Sequence, residues 1–238
     1  LVLGTAFFLD DERLPSRVDR NGFFQFSYPF PAEGPIKPNL AESWNWNSDG
    51  TKLTINMRKG IKWSDGKPFT TDDVIFFMDD IVNDKDVAYI WFYESNFYDA
   101  EGNFPKITKI DDHTLEFEYD ATAFLFEKKY ANVVWQALPK HHFKTWHPKY
   151  NSKSSYEILN EKLKILGVDS EGGRVTLNAW VVDEYVPDGK LHMTRNPYYW
   201  KVDSEGNQLP YFDEFEIIVA GDRPAVVLGN MTGEFDHD

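Results

Sequence analysis

The run from Leu40 to Val82, LAESWNWNSDGTKLTINMRKGIKWSDGKPFTTDDVIFFMDDIV, constrains the fold more than any other stretch of this chain. It reads as strand, turn and helix in direct succession. Asn47-Ser48-Asp49-Gly50 is a turn, because Asn, Asp and Ser side chains bond their own backbone and Gly accepts a positive φ. Leu53, Ile55 and Met57 then alternate with Thr54, Asn56 and Arg58, the period of two that buries one face of a strand. Ser64-Asp65-Gly66-Lys67-Pro68 turns the chain again. Thr70 follows as a helix N-cap with Asp73 three residues on, a capping-box-like pair, and Asp72 and Asp73 suit the positive end of the helix dipole. Val74, Phe77, Met78 and Ile81 recur at helical spacing.

Around this unit the chain alternates short strands and helices. The aromatic run Phe23-Phe24-Gln25-Phe26 is a strand candidate, as is Leu1–Leu9, and Pro29, Pro31, Pro35 and Pro38 mark a loop. Asn83–Pro105 is irregular and aromatic. Ile107–Ile110 and Leu115–Tyr119 read as paired strands turned at Asp111-Asp112-His113. Phe124–Tyr130 reads as a short helix, Val133–Leu138 as an apolar run ending at Pro139, and Ser154–Leu166 as an amphipathic helix. Thr176–Tyr185 and Lys190–Arg195 read as a hairpin turned at Pro187-Asp188-Gly189, followed by a strand at Phe212–Ala220 and a helix at Pro224–Met231.

The 238 residues suffice for one large domain or two modest ones. The formal net charge of −14 repels phosphate backbones and anionic lipid, so no nucleic acid partner is expected. No segment approaches the ~20 apolar residues of a membrane span. The absence of cysteine fits an exported protein without disulfides. Leu1-Val2-Leu3-Gly4 lacks the basic start of a signal peptide. Aromatic residues make up 16% of the chain, enough to supply both a core and flat surfaces for a ligand.

The central stretch resembles the family 5 extracellular solute-binding proteins of ABC importers, the peptide- and oligopeptide-binding group. That family reads LAESW, then a strand, then LRKGVKWSDGTPFTADDV and a helix. Here the matching residues are Leu40-Ala41-Glu42-Ser43-Trp44 and Met57 through Val74, in order and in register. Leu138-Pro139-Lys140-His141-His142-Phe143, with Trp146-His147-Pro148-Lys149-Tyr150, resembles the PKHYLKxFHPKY segment of one branch. Arg195-Asn196-Pro197-Tyr198-Tyr199-Trp200 is a further family-like run, and Gly233-Glu234-Phe235-Asp236 resembles the family's GEID. Most members carry Gly-Pro-Tyr at the start of the late hairpin; this chain has Asn178-Ala179-Trp180.

The resemblance implies an α/β, periplasmic-binding-protein-like lobe with an extra inserted subdomain and mixed sheets flanked by helices. Residues 20–138 would form the inserted subdomain, and 1–19 with 139–238 part of the main ligand-binding lobe, the second lobe lying outside this chain. It implies a periplasmic or extracellular location, with an export signal upstream and lipid anchoring through a segment outside this chain. It implies an importer component, acting as a monomer, that captures an oligopeptide-like solute and delivers it to an ABC permease. An oligosaccharide is the alternative solute. No cofactor is expected.

Catalytic patterns are missing: no GxxxxGK[ST], no GxSxG, no HExxH and no thiol. The chain is therefore expected not to be an enzyme. A secreted carbohydrate-active enzyme or a sensor module are the readings from other classes. The first would need two carboxyls across a cleft about 5–10 Å apart. Asp72/Asp73, Asp79/Asp80 and Asp111/Asp112 are neighbours in sequence and read as caps and solvated surface. His141, His142 and His147 do not share a helical face and read as structural or solvated, so no metal is expected. Asp203-Ser204-Glu205-Gly206-Asn207 reads as a polar turn, since it lacks the alternating ligands of a calcium loop. For the solute, the resemblance points to Tyr89 and Trp91 after the central helix, Trp135 before Pro139, and Asn178 and Trp180 at the departed Gly-Pro-Tyr position. Aromatic faces suit a sugar ring or an apolar side chain, and Asn178 suits a hydroxyl or an amide.

Overall fold

The computed structural model describes residues 24–26, 36–87, 97–123, 126, 137–164, 175–186, 189–218 and 223–233. Expectations for Leu1–Leu9, for most of Phe124–Tyr130 and for Val133–Gln136 lie outside these residues. So do those for Pro187, Asp188 and Glu234–Asp236.

Strand β1 (Phe24–Phe26) pairs antiparallel with β2 (Ile36–Pro38). Pro38, expected in a loop, closes β2 at an edge, where a missing N–H does no harm to the ladder. Strands β3 (Ala41–Trp46), β4 (Lys52–Met57), β5 (Lys106–Asp111) and β6 (Thr114–Glu118) form an antiparallel sheet in the order β3-β4-β6-β5. Its register places Trp46, Leu53, Phe117 and Ile107 in one cross-strand row and Trp44, Ile55 and Leu115 in the next. The alternation of the sequence thus becomes one apolar face. The β3–β4 turn is closed by Asn47, whose Oδ1 accepts the N–H groups of Thr51 (3.0 Å) and Lys52 (2.9 Å).

Helix α1 (Thr71–Ile75) lays Val74 on that face and continues as a π-helical turn over Phe76–Val82. The sequence spacing predicted an ordinary helix here. The wider turn, marked by the Asn83 N–H bond to the Met78 carbonyl at 3.0 Å, buries Phe76 and Asp80 as well as Phe77, Met78 and Ile81. Phe76 consequently faces His147 and Tyr150, with ring centroids 5.9 Å away in each case. Asp80 accepts hydrogen bonds from Lys149 and Tyr150. Burial, with Asp80 beside it, pushes the Tyr150 phenol far above its usual range. Tyr156 donates to Asp84 at 2.9 Å. The fully buried rings and branched side chains of this core contribute about 1.5–3 kcal/mol each.

Beyond α2 (Lys140–Phe143) and α3 (Tyr156–Lys164) comes a second antiparallel sheet, β7 (Trp180–Tyr185), β8 (Lys190–Arg195) and β9 (Glu214–Ile218), and then α4 (Arg223–Thr232). β7 starts four residues later than the sequence pattern suggested. Thr176, Asn178 and Ala179 spend their backbone groups on Ser64 and Asn196 and so stay out of the ladder. β9 begins at Glu214, two residues after the expected Phe212.

One carboxylate joins these parts. Asp73 is buried, and its Oδ2 accepts the Trp63 indole N–H (3.1 Å) and the Thr70 N–H (3.0 Å). Its Oδ1 accepts the Lys140 N–H (2.9 Å). Burial pushes the Asp73 carboxyl up, and these three donors oppose the push. Asp73→Ala leaves three donors unpaired around a hole, so we expect a loss of about 3 kcal/mol in urea unfolding of the full-length protein. Asp73→Asn, which keeps one acceptor oxygen, loses less.

Candidate functional site

The turn at Ser64–Lys67 is the floor of the candidate site, because three other segments end on it. Ser64 and Thr176 are bonded reciprocally: Ser64 N–H donates to the Thr176 carbonyl (2.9 Å), and Thr176 N–H donates to Ser64 Oγ (3.0 Å). Asp65 meets His141 Nε2 at 2.7 Å, which fixes the turn to the start of α2. Although burial opposes it, the Lys67 N–H and the His141 ring hold the Asp65 carboxyl below its ordinary range. Gly66 sits at φ +81°, and a Cβ there would lie 3.0 Å from the Tyr198 ring, so both conformation and space demand glycine. The Lys62 ammonium lies over the same ring, 5.5 Å from its centroid.

A second anchor stands opposite. Asn196 is fully buried at the end of β8. Its side-chain N–H donates to the Asn178 carbonyl (2.8 Å), its backbone N–H to the Ala179 carbonyl (2.8 Å), and its Oδ1 accepts the Tyr198 N–H (2.9 Å). Asn178 N–H donates to Thr176 Oγ1 at 3.1 Å. Residues 176–179 are therefore pinned at both ends, and these bonds grip main chain.

Of the five residues predicted for the solute, Asn178 and Trp180 fall on this strip, two positions apart. Tyr89, Trp91 and Trp135 lie outside the described residues. The Asn178 side chain is half-buried. The Trp180 ring is 6% exposed and packs 5.9 Å from Phe215, and its indole N–H is buried without an acceptor among the described residues. Ser64, Thr176 and Asn196 were not singled out from sequence. Their partners are 112 and 18 residues away, beyond any local pattern.

The three clustered histidines go separate ways. His141 pairs with Asp65, and His142 packs edge-on to Trp146 with centroids 4.6 Å apart. His147 has no exposed surface; its Nε2 meets the Asp80 carbonyl at 2.9 Å, and its Nδ1 accepts the Lys149 N–H at 3.2 Å. With Nδ1 accepting, the ring is the neutral Nε2–H tautomer. Among the described residues, no group of three or more His, Asp or Glu side chains is placed to hold a metal. The Asp203 loop is self-contained: Oδ1 accepts the N–H groups of Glu205 and Asn207 (each 2.8 Å), and Oδ2 accepts from Asn207 Nδ2 (2.9 Å) and Tyr211 Oη (2.8 Å). Asp99-Ala100-Glu101-Gly102-Asn103 builds the same loop, with Asp99 Oδ1 taking the N–H groups of Glu101 and Asn103 at 2.9 Å. Beyond their own turns, the Asp203 carboxylate takes the Tyr211 hydroxyl and the Asp99 carboxylate the Ala121 N–H.

The family model of bacterial extracellular solute-binding proteins, family 5 (middle), matches residues 35–237. The periplasmic alpha-galactoside-binding protein of Rhizobium meliloti (strain 1021) is 39% identical over 181 residues, covering 74% of this chain and 24% of its own. The periplasmic binding protein MelB of Agrobacterium fabrum C58, solved in complex with stachyose, is 35% identical, with a TM-score of 0.69 over 86% of this chain and 29% of that one. An oligopeptide-binding protein OppA is 28% identical, with a TM-score of 0.76 over 91% of this chain and 34% of that one. The chain thus spans 24–34% of the length of these three relatives. These relatives are solute-binding proteins, and the solved ones share the periplasmic-binding-protein architecture that the resemblance implied.

Asn207 and Tyr211, with the loop amides, hold the Asp203 carboxyl down to about 2 from an ordinary 3.8. A depressed folded-state value means the loop's contribution to stability is complete above the ordinary carboxylate range and is lost as pH falls toward 2. Carboxyl-carbon NMR titration should place the Asp203 midpoint near 2, and Asn207→Ala should move it upward.

Proposed function

The chain belongs to the family 5 bacterial extracellular solute-binding proteins, and on that premise we propose that it captures a solute between two lobes for delivery to the membrane permease of an ABC importer. It does so in the periplasm or outside the cell, as a monomer and without making or breaking a bond. The solute is an oligosaccharide of the alpha-galactoside class. The observation that carries this is the ordering of identities: 39% to an alpha-galactoside binder and 35% to a stachyose complex, against 28% to OppA. The reading of the sequence alone placed an oligopeptide first. That second reading keeps its support from the TM-score of 0.76 with OppA.

In this scheme residues 20–138 form the inserted subdomain, and 1–19 with 139–238 belong to the main lobe. Tyr89, Trp91 and Trp135 supply stacking faces, and Asn178 supplies an amide. Trp180 backs the same strip, with its ring packed against Phe215. A binding protein responds to ligand only through tighter binding to the closed form, so closure and affinity are one quantity here.

Thermal shift of the full-length protein tests the reading. Stachyose at about 100 times its Kd should stabilise by about 2.7 kcal/mol and raise the melting temperature by several degrees, while di- to pentapeptides leave it unchanged. A shift with peptides alone would install the second reading. No shift with either would overturn both.

A further inference from the structure

We propose that His192 is a pH-operated clamp across the second sheet: its imidazolium holds the outer strands β7 and β9 to the middle strand β8, and loss of its proton loosens both. The inference goes beyond the solute-binding reading and stands without it.

The charges on this sheet are striped. The middle strand β8 brings two cations, Lys190 and His192, and its neighbours bring acids, Asp183 and Glu184 from β7 and Glu214 and Glu216 from β9. Lys190 Nζ lies 2.9 Å from Glu184 on one side and 3.4 Å from Glu216 on the other. His192 spans the same three strands with a ring: Nδ1 meets Asp183 Oδ1 at 2.6 Å, and Nε2 lies 3.7 Å from Glu214 Oε2. A bulge makes this possible. The β7–β8 register shifts between Val182 and Glu184, so Glu184 stands opposite His192 and Asp183 has no Cα partner on β8. The extra residue lets both acids of β7 reach a cation, Asp183 taking His192 and Glu184 taking Lys190. Farther along β8, Arg195 pairs with Asp213.

The two central cations respond differently to pH. Glu184 and Glu216 hold the Lys190 ammonium above its ordinary range, so it stays charged. An imidazole titrates near neutrality. A neutral ring has one N–H and one lone pair, and the lone pair would face a carboxylate; only the imidazolium donates on both sides. Asp183, joined by Glu214, therefore holds the His192 ring above its ordinary 6.5, although burial opposes it. With a raised folded-state value, the clamp's stabilisation is complete below 6.5 and is lost as pH rises through the folded value. Lys190 is then left facing Asp183, Glu184, Glu214 and Glu216, and the repulsion among these acids falls on β7 and β9. β7 begins at Trp180, directly after the pinned residues 176–179, and β8 runs into Asn196, so the clamped sheet is continuous with the candidate site.

Two measurements on the full-length protein without solute test this. In an NMR titration with carbon-13-labelled histidine, the signal that is missing from His192→Gln should have its midpoint above 6.5, and Asp183→Asn should lower it. A midpoint at or below 6.5, or one that Asp183→Asn leaves in place, overturns the clamp. Hydrogen exchange, corrected for the intrinsic effect of pH, is then followed from about pH 5.5 to about pH 8.5 in peptides covering β7 and β9. Their protection should fall about 2- to 5-fold in the wild type, the size of a partly exposed ion pair. Lys190→Gln should keep that fall, because His192 still titrates; His192→Gln should start at the lower protection and stay there. Asp183→Asn, which keeps the ring and removes its nearer partner, should show a smaller fall than the wild type. No fall in the wild type, or an equal fall in the wild type and in either His192→Gln or Asp183→Asn, overturns the clamp.

Discussion

A single buried carboxylate is the constraint on which the rest depends. Asp73 must find donors for both oxygens in a site that excludes water, and it finds them on three separate pieces of chain: Trp63, Thr70 and Lys140. Because an unmet charge in that place would be prohibitive, the three pieces cannot drift independently. The Leu138 N–H lies 3.4 Å from the Asp73 carbonyl, so the backbone of the same residue also holds the return of the chain. The N3 residue of α1 thus also rivets the segment carrying Trp63 to the start of α2.

From that rivet the order spreads outward. Trp63 is fixed, so the turn Ser64–Lys67 is fixed, and with it Thr176 through Ser64 and α2 through Asp65 and His141. Asn196 closes the other side. Directly after α1 the π-helical turn brings Asp80 to Lys149 and Tyr150 and packs Phe76 on His147. Two acids seven residues apart, Asp73 and Asp80, therefore tie α1 and its π-helical continuation to Lys140 and to Lys149 and Tyr150 in the later chain.

Much of this was legible in the sequence where the rules are local. The alternation of Leu53, Ile55 and Met57 gave the buried face of β4, and the Thr70–Asp73 spacing gave the start of α1. What was not legible depends on distance in the chain. Asp73 read as an ordinary first-turn acid; only the arrival of Lys140, 67 residues later, makes it a hub. The π-helical turn was invisible because Val74, Phe77, Met78 and Ile81 fit an α-helix equally well, and the choice was made by Phe76 and Asp80 finding partners after residue 146. The late start of β7 has the same origin. In the site, the family resemblance singled out Asn178 and Trp180, whereas Ser64 and Asn196 read only as parts of a turn and of a family-like run, and their bonds to residues 176–179 left no local signal.

Amide hydrogen exchange of the full-length protein, measured residue by residue with and without saturating solute, tests the rigid joint most directly. The Thr70 and Lys140 amides, bonded to the buried Asp73 carboxylate, should exchange only with the slowest class in both states. The amides of residues 176–180 should gain protection when solute is bound. Fast exchange at Thr70 or Lys140 in the free protein would contradict the joint, and unchanged exchange at 176–180 in the saturated protein would contradict its link to solute capture.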